Sequence, residues 1–207
     1  MPLSRDHVLQ AALTLADEAG VEALSMRKLA KTLGVEAMSL YGHVKHKEDL
    51  LDGLVDLVWG EIEYPEGDWR ASMRERAWST RAALRRHRWA IGLMEARSNP
   101  GPNNIREHEK MLRCLRRGGF SVPHTARASS ILDAYAYGWA LQERALPDEL
   151  NAEVAERMLR FEDPTVPYTA QMLREHIATG GYDFEAEFTF GLELILNGIA
   201  SLLPAPA

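Results

Sequence analysis

Hydrophobic residues recur at three- and four-residue intervals along most of this chain, which is the pattern of amphipathic helices. Capping residues flank the runs: Ser4 precedes the first run and Gly20 follows it, and these residue types suit the two ends of a helix. The pattern predicts an all-α fold. The predicted helices cover residues 5–19, 26–33, 37–44, 47–62, 105–117, 124–146 and 184–203, and a further apolar seam runs through residues 68–93.

Residues 25–47 contain two short apolar runs on either side of Gly34. Leu29 and Leu33 lie four residues apart and share one helix face. Leu40 falls on the face of the next run that points back toward them, and Gly34 can adopt the left-handed conformation that ends the first helix. Two short helices joined by a glycine turn are typical of a helix-turn-helix, which places its second helix in the major groove of DNA.

The same segment carries positive charge in an acidic chain. Five lysines and arginines oppose one glutamate between residues 25 and 47, which gives 5 − 1 = +4, whereas the whole chain has a formal net charge of −6. Local positive charge suits contact with phosphates. The alternative is a helical hairpin whose charges are simply solvated. We assign base contact to Arg27, apolar contact with a thymine methyl group to Ala37 and Met38, and phosphate contact to Tyr41, His43 and Lys47.

The stretch LSMRKLAKTLGV…SLYGHVKHKEDLL, residues 24–51, resembles the TetR family of bacterial transcriptional repressors. It is most similar to the branch that includes the tetracycline repressor. The likeness runs from Ser4 to about Leu54. It implies a three-helix helix-turn-helix domain at residues 1–48 and a larger helical domain at residues 49–207 that binds an effector and dimerises.

The resemblance also implies which side chains meet DNA. Ala37, Met38 and Gly42 replace larger or more polar residues of the tetracycline repressor pattern, so the operator is expected to differ and a role in tetracycline resistance does not follow. The predicted DNA-binding residues are Ser25, Arg27, Lys28, Ala37, Met38, Ser39, Tyr41, Gly42, His43 and Lys47.

The implied function is a repressor that binds an inverted-repeat operator as a homodimer and is released by a ligand. In the family, a small molecule in the C-terminal domain moves the helix predicted at 47–62 and spreads the two DNA-binding units. The apolar helices predicted at 124–146 and 184–203 contain small residues that allow close helix approach. They therefore fit a four-helix dimer bundle. The alternative is that both helices belong to the core of one chain.

An apolar or aromatic effector is expected, because the candidate pocket residues are mainly large and hydrophobic. Core packing is the alternative role for each of them. No cofactor and no metal are expected, since the histidines and carboxylates outside the helix-turn-helix are not spaced convincingly as metal ligands. The pair His43-x-x-His46 has the spacing of a metal site, but His43 fits phosphate contact better. The candidate ligand-binding residues are Trp78, Trp89, Met94, Arg97, Asn103, His108, Met111, Leu115, Tyr135, Trp139 and Gln142.

Composition places the chain among ordinary globular proteins. It has 207 residues, of which 46% are hydrophobic and 26% charged, and its single cysteine excludes an internal disulfide. No signal peptide and no membrane-spanning run are expected, so the predicted location is the bacterial cytoplasm, with operator DNA and a second copy of the chain as partners and no membrane.

Residues 68–93 are rich in arginine, whereas residues 143–193 carry twelve acids against four arginines, a net charge of 4 − 12 = −8. The arginines form either a second DNA-contact surface or a set of partners for the acidic part. Two other functions compete with the repressor. An enzyme is disfavoured, because the sequence has no nucleophile elbow, phosphate-binding loop or metal motif. A regulator controlled by a protein partner, without a small effector, is the remaining alternative.

Overall fold

The computed structural model describes residues 3–96, 100–145, 154, 157, 165–178 and 181–204, and these residues form helices and turns without a strand, which confirms the all-α prediction. A 3-10 turn (Val21–Ala23) follows the helix Arg5–Ala19, and a π-helical turn (Leu173–Ile177) follows the helix Pro167–Met172. The helices are α1 (Arg5–Ala19), α2 (Met26–Leu33), α3 (Ala37–Leu40), α4 (Lys47–Gly60), α5 (Trp69–Arg86), α6 (Ala90–Ala96), α7 (Pro102–Arg117), α8 (Val122–Ala145), α9 (Pro167–Met172) and α10 (Phe184–Ala200).

The first three helices form a compact unit, residues 4–46, that we call the head. Ser4 Oγ accepts a hydrogen bond from the His7 N–H at 3.2 Å and caps α1. Ser25 Oγ caps α2 in the same way by accepting from the Lys28 N–H at 3.2 Å. Gly34 ends α2 with φ 67°, a left-handed conformation that glycine adopts at low cost. The predicted buried stripe of α1 is confirmed as Val8, Leu9, Ala12, Leu13, Leu15 and Ala16.

The helix predicted over residues 37–44 is shorter than expected, because α3 ends at Leu40 and a turn follows at residues 41–43. The His43 and Val44 N–H groups both donate to the Leu40 carbonyl at 2.9 Å. The backbone therefore continues in a hydrogen-bonded turn beyond the end of α3. Val44 is fully buried beside Leu40, as the apolar pattern required.

Helix α4 leads from the head into the larger part and is joined there to α7. The Asn103 and Asn104 N–H groups donate to Asp56 Oδ1 at 2.9 and 3.1 Å, so a carboxylate from the middle of α4 caps the start of α7. A side chain at Gly101 would collide with that carboxylate. This long-range cap explains why α7 begins at Pro102 and not at residue 105.

Helix α5 packs against α7, α8 and α10 and pairs its arginines with their acids. Arg70 and Arg74 both bind Glu193, at 2.8 and 2.5 Å. The buried Arg76 binds Glu107 on α7 at 2.5 Å and Asp133 on α8 at 2.8 Å. The structure therefore favours the pairing alternative for this arginine-rich segment over a second DNA-contact surface.

Helices α8 and α10 lie against each other through aromatic contacts. The Tyr135 ring stacks on Phe188 with 5.3 Å between centroids, and its hydroxyl donates to the Phe188 carbonyl at 2.7 Å. Gly191 has no side chain to block this approach, since a Cβ there would meet the Tyr135 hydroxyl. Among the described residues, no helix is long and apolar enough to cross a membrane.

Candidate DNA-binding surface and effector cleft

The ten predicted DNA-binding residues lie in the head and at the first residue of α4, and all of them are exposed or half-buried. They come from the start of α2, from α3, from the turn at 41–43 and from the first residue of α4. Met38 is 77% exposed, although it is a large apolar residue, and Tyr41 is exposed beside it. Exposed apolar and aromatic side chains next to lysines and arginines suit a surface that meets both bases and phosphates.

A groove runs between α2 and the start of α3. Arg27, Lys28, Val35 and Ala37 are among the residues that line it. Glu36 also lines this groove, a position that its charge in the sequence does not reveal. Its carboxylate places one negative charge inside a positive surface, which disfavours a phosphate at that point.

A network from α1 and α4 holds the turn that carries Tyr41 and His43. Arg5 donates through Nη1 to the His43 carbonyl at 2.9 Å and through Nη2 to Asp49 Oδ1 at 2.8 Å. Asp49 Oδ2 accepts from the Lys45 N–H at 2.8 Å. The Arg5 hydrogen bond is the main reason why the pKa of Asp49 falls to about 2.

Arg5 and Asp49 thus position the turn that carries the predicted DNA-binding residues Tyr41 and His43, although neither belongs to the predicted set. Sequence reasoning missed them because they are 44 positions apart, and nothing in the local pattern joins them. His46 caps α4 by accepting from the Asp49 N–H through Nδ1 at 3.1 Å. Among the described residues, no three histidine, cysteine, aspartate or glutamate side chains are grouped so that they could hold a metal ion.

Three candidate ligand-binding residues meet in one aromatic cluster of the larger part. Trp78, Tyr135 and Trp139 surround Phe188, with ring centroids 4.9, 5.3 and 5.7 Å from it. Burial in this cluster raises the pKa of Tyr135 to about 12. Phe188 was missed from the sequence because it lies 49 or more positions away from the other three rings, on the last helix.

The other candidates lie apart from this cluster. Met111 and Leu115 are fully buried in the core, and His108 and Gln142 are exposed. Met94 lines a small cavity of about 150 Å³ between α4, α6 and α7, and Asn103 lies beside it at the cap of α7. Trp89 Nε1 donates to Asp17 of the head at 2.7 Å. Arg97 lies outside the described residues.

A larger cleft of about 440 Å³ opens between α5, α8 and the start of α10. Its lining includes none of the eleven candidate residues. On one wall the buried Arg81 donates to both carboxylate oxygens of Glu143, at 3.0 and 2.7 Å. The remaining lining residues are Leu84, Arg85, Arg88, Ala140, Arg144, Tyr182, Asp183, Phe184 and Glu185.

The end of α5 also forms a joint with the head. The buried ring of His87 lies between two carboxylates, with Nδ1 at 2.8 Å from Asp17 Oδ1 on α1 and Nε2 at 2.9 Å from Glu61 Oε1 after α4. Arg86 donates to Glu61 Oε2 at 2.6 Å. Burial would raise the pKa of Glu61, but the hydrogen bonds from Arg86 and His87 outweigh it and leave that pKa lowered.

Comparison with known proteins identifies the family to which this chain, with its helix-turn-helix head and larger helical part, belongs. Residues 8–54 match the family model for bacterial regulatory proteins of the tetR family. Residues 63–203 match the model described as the tetracyclin repressor-like C-terminal domain. The chain belongs to the TetR family.

Relatives extend the TetR likeness over almost the whole chain. The HTH-type transcriptional repressor DrrR1 of Streptomyces coeruleorubidus is 34% identical over 97% of this chain and 78% of its own length. The class E tetracycline repressor protein of Escherichia coli is 31% identical over 97% of this chain and 92% of its own length. Apo ActR from Streptomyces coelicolor is 29% identical, with a TM-score of 0.81 over 98% of this chain and 97% of that one.

Membership in the TetR family settles the broad function. This TetR protein is a DNA-binding transcription regulator and not an enzyme, in keeping with the repressors among its relatives. The resemblance drawn from residues 24–51 is therefore confirmed.

Proposed function

We propose that this protein is a ligand-released repressor that binds an inverted-repeat operator as a homodimer in the bacterial cytoplasm. The observation that carries the proposal is the exposure of Arg27, Met38, Tyr41 and Lys47 in and next to the helix-turn-helix, where the apolar Met38 is 77% exposed. Arg27 reads a guanine edge, Ala37 and Met38 contact thymine methyl groups, and Tyr41, His43 and Lys47 hold phosphates. The domain boundary between residues 48 and 49 is part of the same proposal.

Selection of bound sequences from a random DNA pool, with purified full-length protein at a stated salt concentration, tests operator binding. We expect an enriched inverted repeat whose half-sites lie about 10 base pairs apart, one turn of the double helix. Weak binding that depends only on salt, without an enriched sequence, would contradict the proposal.

Exposed apolar residues on α8 and α10 support the homodimer. Ile131 and Leu141 on α8 are about half exposed, and Phe190 and Leu194 on α10 are 65% and 58% exposed. A Cβ placed on Gly198 of α10 would meet nothing within 4 Å, so this face has room for another chain. A second copy that applied the same two helices would bury these residues in a symmetric four-helix bundle.

Light scattering at micromolar concentration tests the dimer. We expect about twice the chain mass of 23.2 kDa for the wild type and the single-chain mass for Phe190→Glu, which puts a charge into the bundle. Tyr168→Glu is the matched control, because Tyr168 is 83% exposed but lies on α9, outside the proposed bundle. A single-chain mass for the wild type would contradict the homodimer.

Solved relatives support a small effector. One is described as ActR from Streptomyces coelicolor in complex with actinorhodin, with a TM-score of 0.80. By likeness, this chain takes an apolar or aromatic molecule near Trp78, Tyr135 and Trp139. Release requires that the molecule bind the DNA-free state more tightly than the DNA-bound state.

A compound screen that follows operator affinity by fluorescence anisotropy tests release. We expect an effector to weaken operator binding and to raise the melting temperature of the free protein. If no compound class changes either quantity, the proposal of ligand release is lost, and control by a protein partner replaces it.

A further inference from the structure

We propose that Met38 on α3 is an oxidation site, and that a peroxide which converts its thioether to the sulfoxide weakens operator binding. The inference rests on the proposed repressor function, because it needs Met38 to contact a base. It goes beyond that function by giving the head a chemical signal of its own, separate from any effector. Three observations carry it: the exposure of this side chain, its place on the head, and the burial of the cysteine.

Met38 is the most exposed of the methionines that the structure describes. It is 77% exposed, whereas Met172 on α9 is 49% exposed. Because an oxidant must reach the sulfur atom, Met38 should react before the other described methionines. Those that remain are buried in the core or packed against it: Met26, Met73, Met94 and Met111.

The fold of the head does not require a large apolar side chain at position 38. Leu40 is the buried residue of α3, and it supplies the contact of this helix with the core. In the head, whose residues 4–46 are all described, Met38 and Tyr41 are the only large hydrophobic residues that are exposed. Exposed apolar side chains on the second helix of a helix-turn-helix suit contact with base edges. The sulfur of Met38 therefore lies on the segment that is proposed to meet DNA.

Cys114, the single cysteine of the chain, is a poor target for the same oxidant. It is 8% exposed on α7, and burial raises the pKa of its thiol. Peroxides react with the thiolate, so burial lowers both the access to this sulfur and its reactive fraction. Met38 is left as the sulfur atom that a peroxide reaches most easily in the described part of the chain.

The oxidation is a two-electron step at the sulfur atom. The O–O bond of hydrogen peroxide breaks, one oxygen forms the S–O bond of the sulfoxide, and the other leaves as water. The sulfur is oxidised and the peroxide is reduced, and no further reactant is needed. The product keeps the length of the methionine side chain but carries a polar oxygen in place of an apolar sulfur surface.

A sulfoxide at position 38 changes what α3 offers to DNA. A thioether can pack against a thymine methyl group, whereas the sulfoxide oxygen loses its water there and gains no donor. Phosphate oxygens are acceptors as well, so they do not satisfy it. We expect operator binding to weaken by about tenfold, the effect of one buried acceptor without a partner. A methionine sulfoxide reductase should restore binding, because its two thiols become a disulfide and the oxygen leaves as water.

Oxidation and operator binding are measured in the same samples of full-length protein treated with hydrogen peroxide. Peptide mass mapping gives the fraction of each methionine that has gained one oxygen, and fluorescence anisotropy gives the affinity for the selected operator. We expect Met38 to be oxidised before Met172, and the loss of affinity to follow the fraction of Met38 sulfoxide. Operator DNA added before the peroxide should slow oxidation of Met38 and leave that of Met172 unchanged.

Met38→Leu removes the oxidisable sulfur and keeps an apolar side chain. Its operator affinity should be the same before and after peroxide, whatever the affinity of the untreated variant. Met172→Leu is the matched control, and it should lose affinity on oxidation as the wild type does. Met38→Gln places a polar amide where the sulfoxide would lie, so it should bind the operator about tenfold more weakly than Met38→Leu without any oxidant. Position 38 is exposed, so both variants should keep the melting temperature of the wild type.

Full operator affinity in protein whose Met38 has become the sulfoxide would overturn the proposal. An equal loss of affinity in peroxide-treated Met38→Leu and wild type would also overturn it, since another residue would then be the target. The untreated wild type separates this failure from that of the repressor proposal. If it binds no operator, the repressor proposal fails and takes this inference with it. If it binds and the oxidised protein binds equally well, only the oxidation site is lost.

Discussion

The head and the larger helical part are built by different kinds of contact. In the head, the caps of α1 and α2 are made by Ser4 and Ser25, each three positions from its donor, and Gly34 ends α2 through its own backbone conformation. In the larger part, Arg76 joins acids on α7 and α8, 31 and 57 positions away. The head therefore depends largely on short-range contacts, whereas the larger part depends on buried charge pairs that form only between packed helices.

Arg76→Ala should have the largest effect of these substitutions, and it acts on the stability of the larger part. The substitution leaves Glu107 and Asp133 without their cation, and Arg76 itself is 1% exposed. We expect a loss of about 3–5 kcal/mol in the free energy of unfolding, measured by urea denaturation at fixed protein concentration. The exposed Arg113, in a surface pair with Glu109, is the control, and Arg113→Ala should cost less than about 1 kcal/mol. Similar losses in the two variants would remove the contrast between buried and surface pairs.

Arg27→Ala breaks the function of the head without breaking its fold. We expect operator binding to weaken by about 1–3 kcal/mol, with relaxed preference at one base pair, if Arg27 grips a base. Lys28→Ala is the matched neighbour, and it should weaken binding to all sequences alike and lower the salt slope by about 1. Anisotropy titrations at several salt concentrations separate the two outcomes. Unchanged affinity in Arg27→Ala would take this residue off the contact surface.

Ser4→Ala measures how much one local cap contributes to the head. The change removes the acceptor for the His7 N–H, and we expect a loss of about 1 kcal/mol in the free energy of unfolding. Ser130→Ala on α8 is the control, since that exposed serine donates only to a carbonyl of its own helix. If both variants unfold at the same urea concentration, the cap is not what stabilises α1.

The smallest effect concerns the exposed pair between Arg5 on α1 and Asp49 in the first turn of α4. The pKa of Asp49 falls to about 2 from 3.8, so its pair with Arg5 stabilises the fold above about pH 4 and loses that effect as the pH falls toward 2. The difference in urea midpoint between the wild type and Asp49→Asn should therefore be present at neutral pH and disappear in acid. A difference that grows on acidification would show that the carboxylate is not stabilising when charged.

Much of the head could be predicted from the sequence because its determinants are local. The bounds of α1 and α2 were predicted from the capping serines and from the glycines that follow, and the buried stripe of α1 from its spacing. The end of α3 was not predicted. The apolar pattern of residues 37–44 fits a longer helix, but it fits a short helix followed by a turn equally well. In the larger part, the sequence left open whether the arginines contact DNA or pair with the acids, and it did not show which pairs form.

The sequence by itself determined the helical fold class, the family and the exposed positions of the head. Helix periodicity, caps and the helix-turn-helix motif each depend on residues that are close together along the chain. Only the tertiary structure decided that Asp56 caps α7, that Arg5 holds the turn carrying His43, and that four arginines line the cleft between α5, α8 and α10. The physical reason is distance along the chain. These contacts join residues tens of positions apart, and they exist only after the helices have packed.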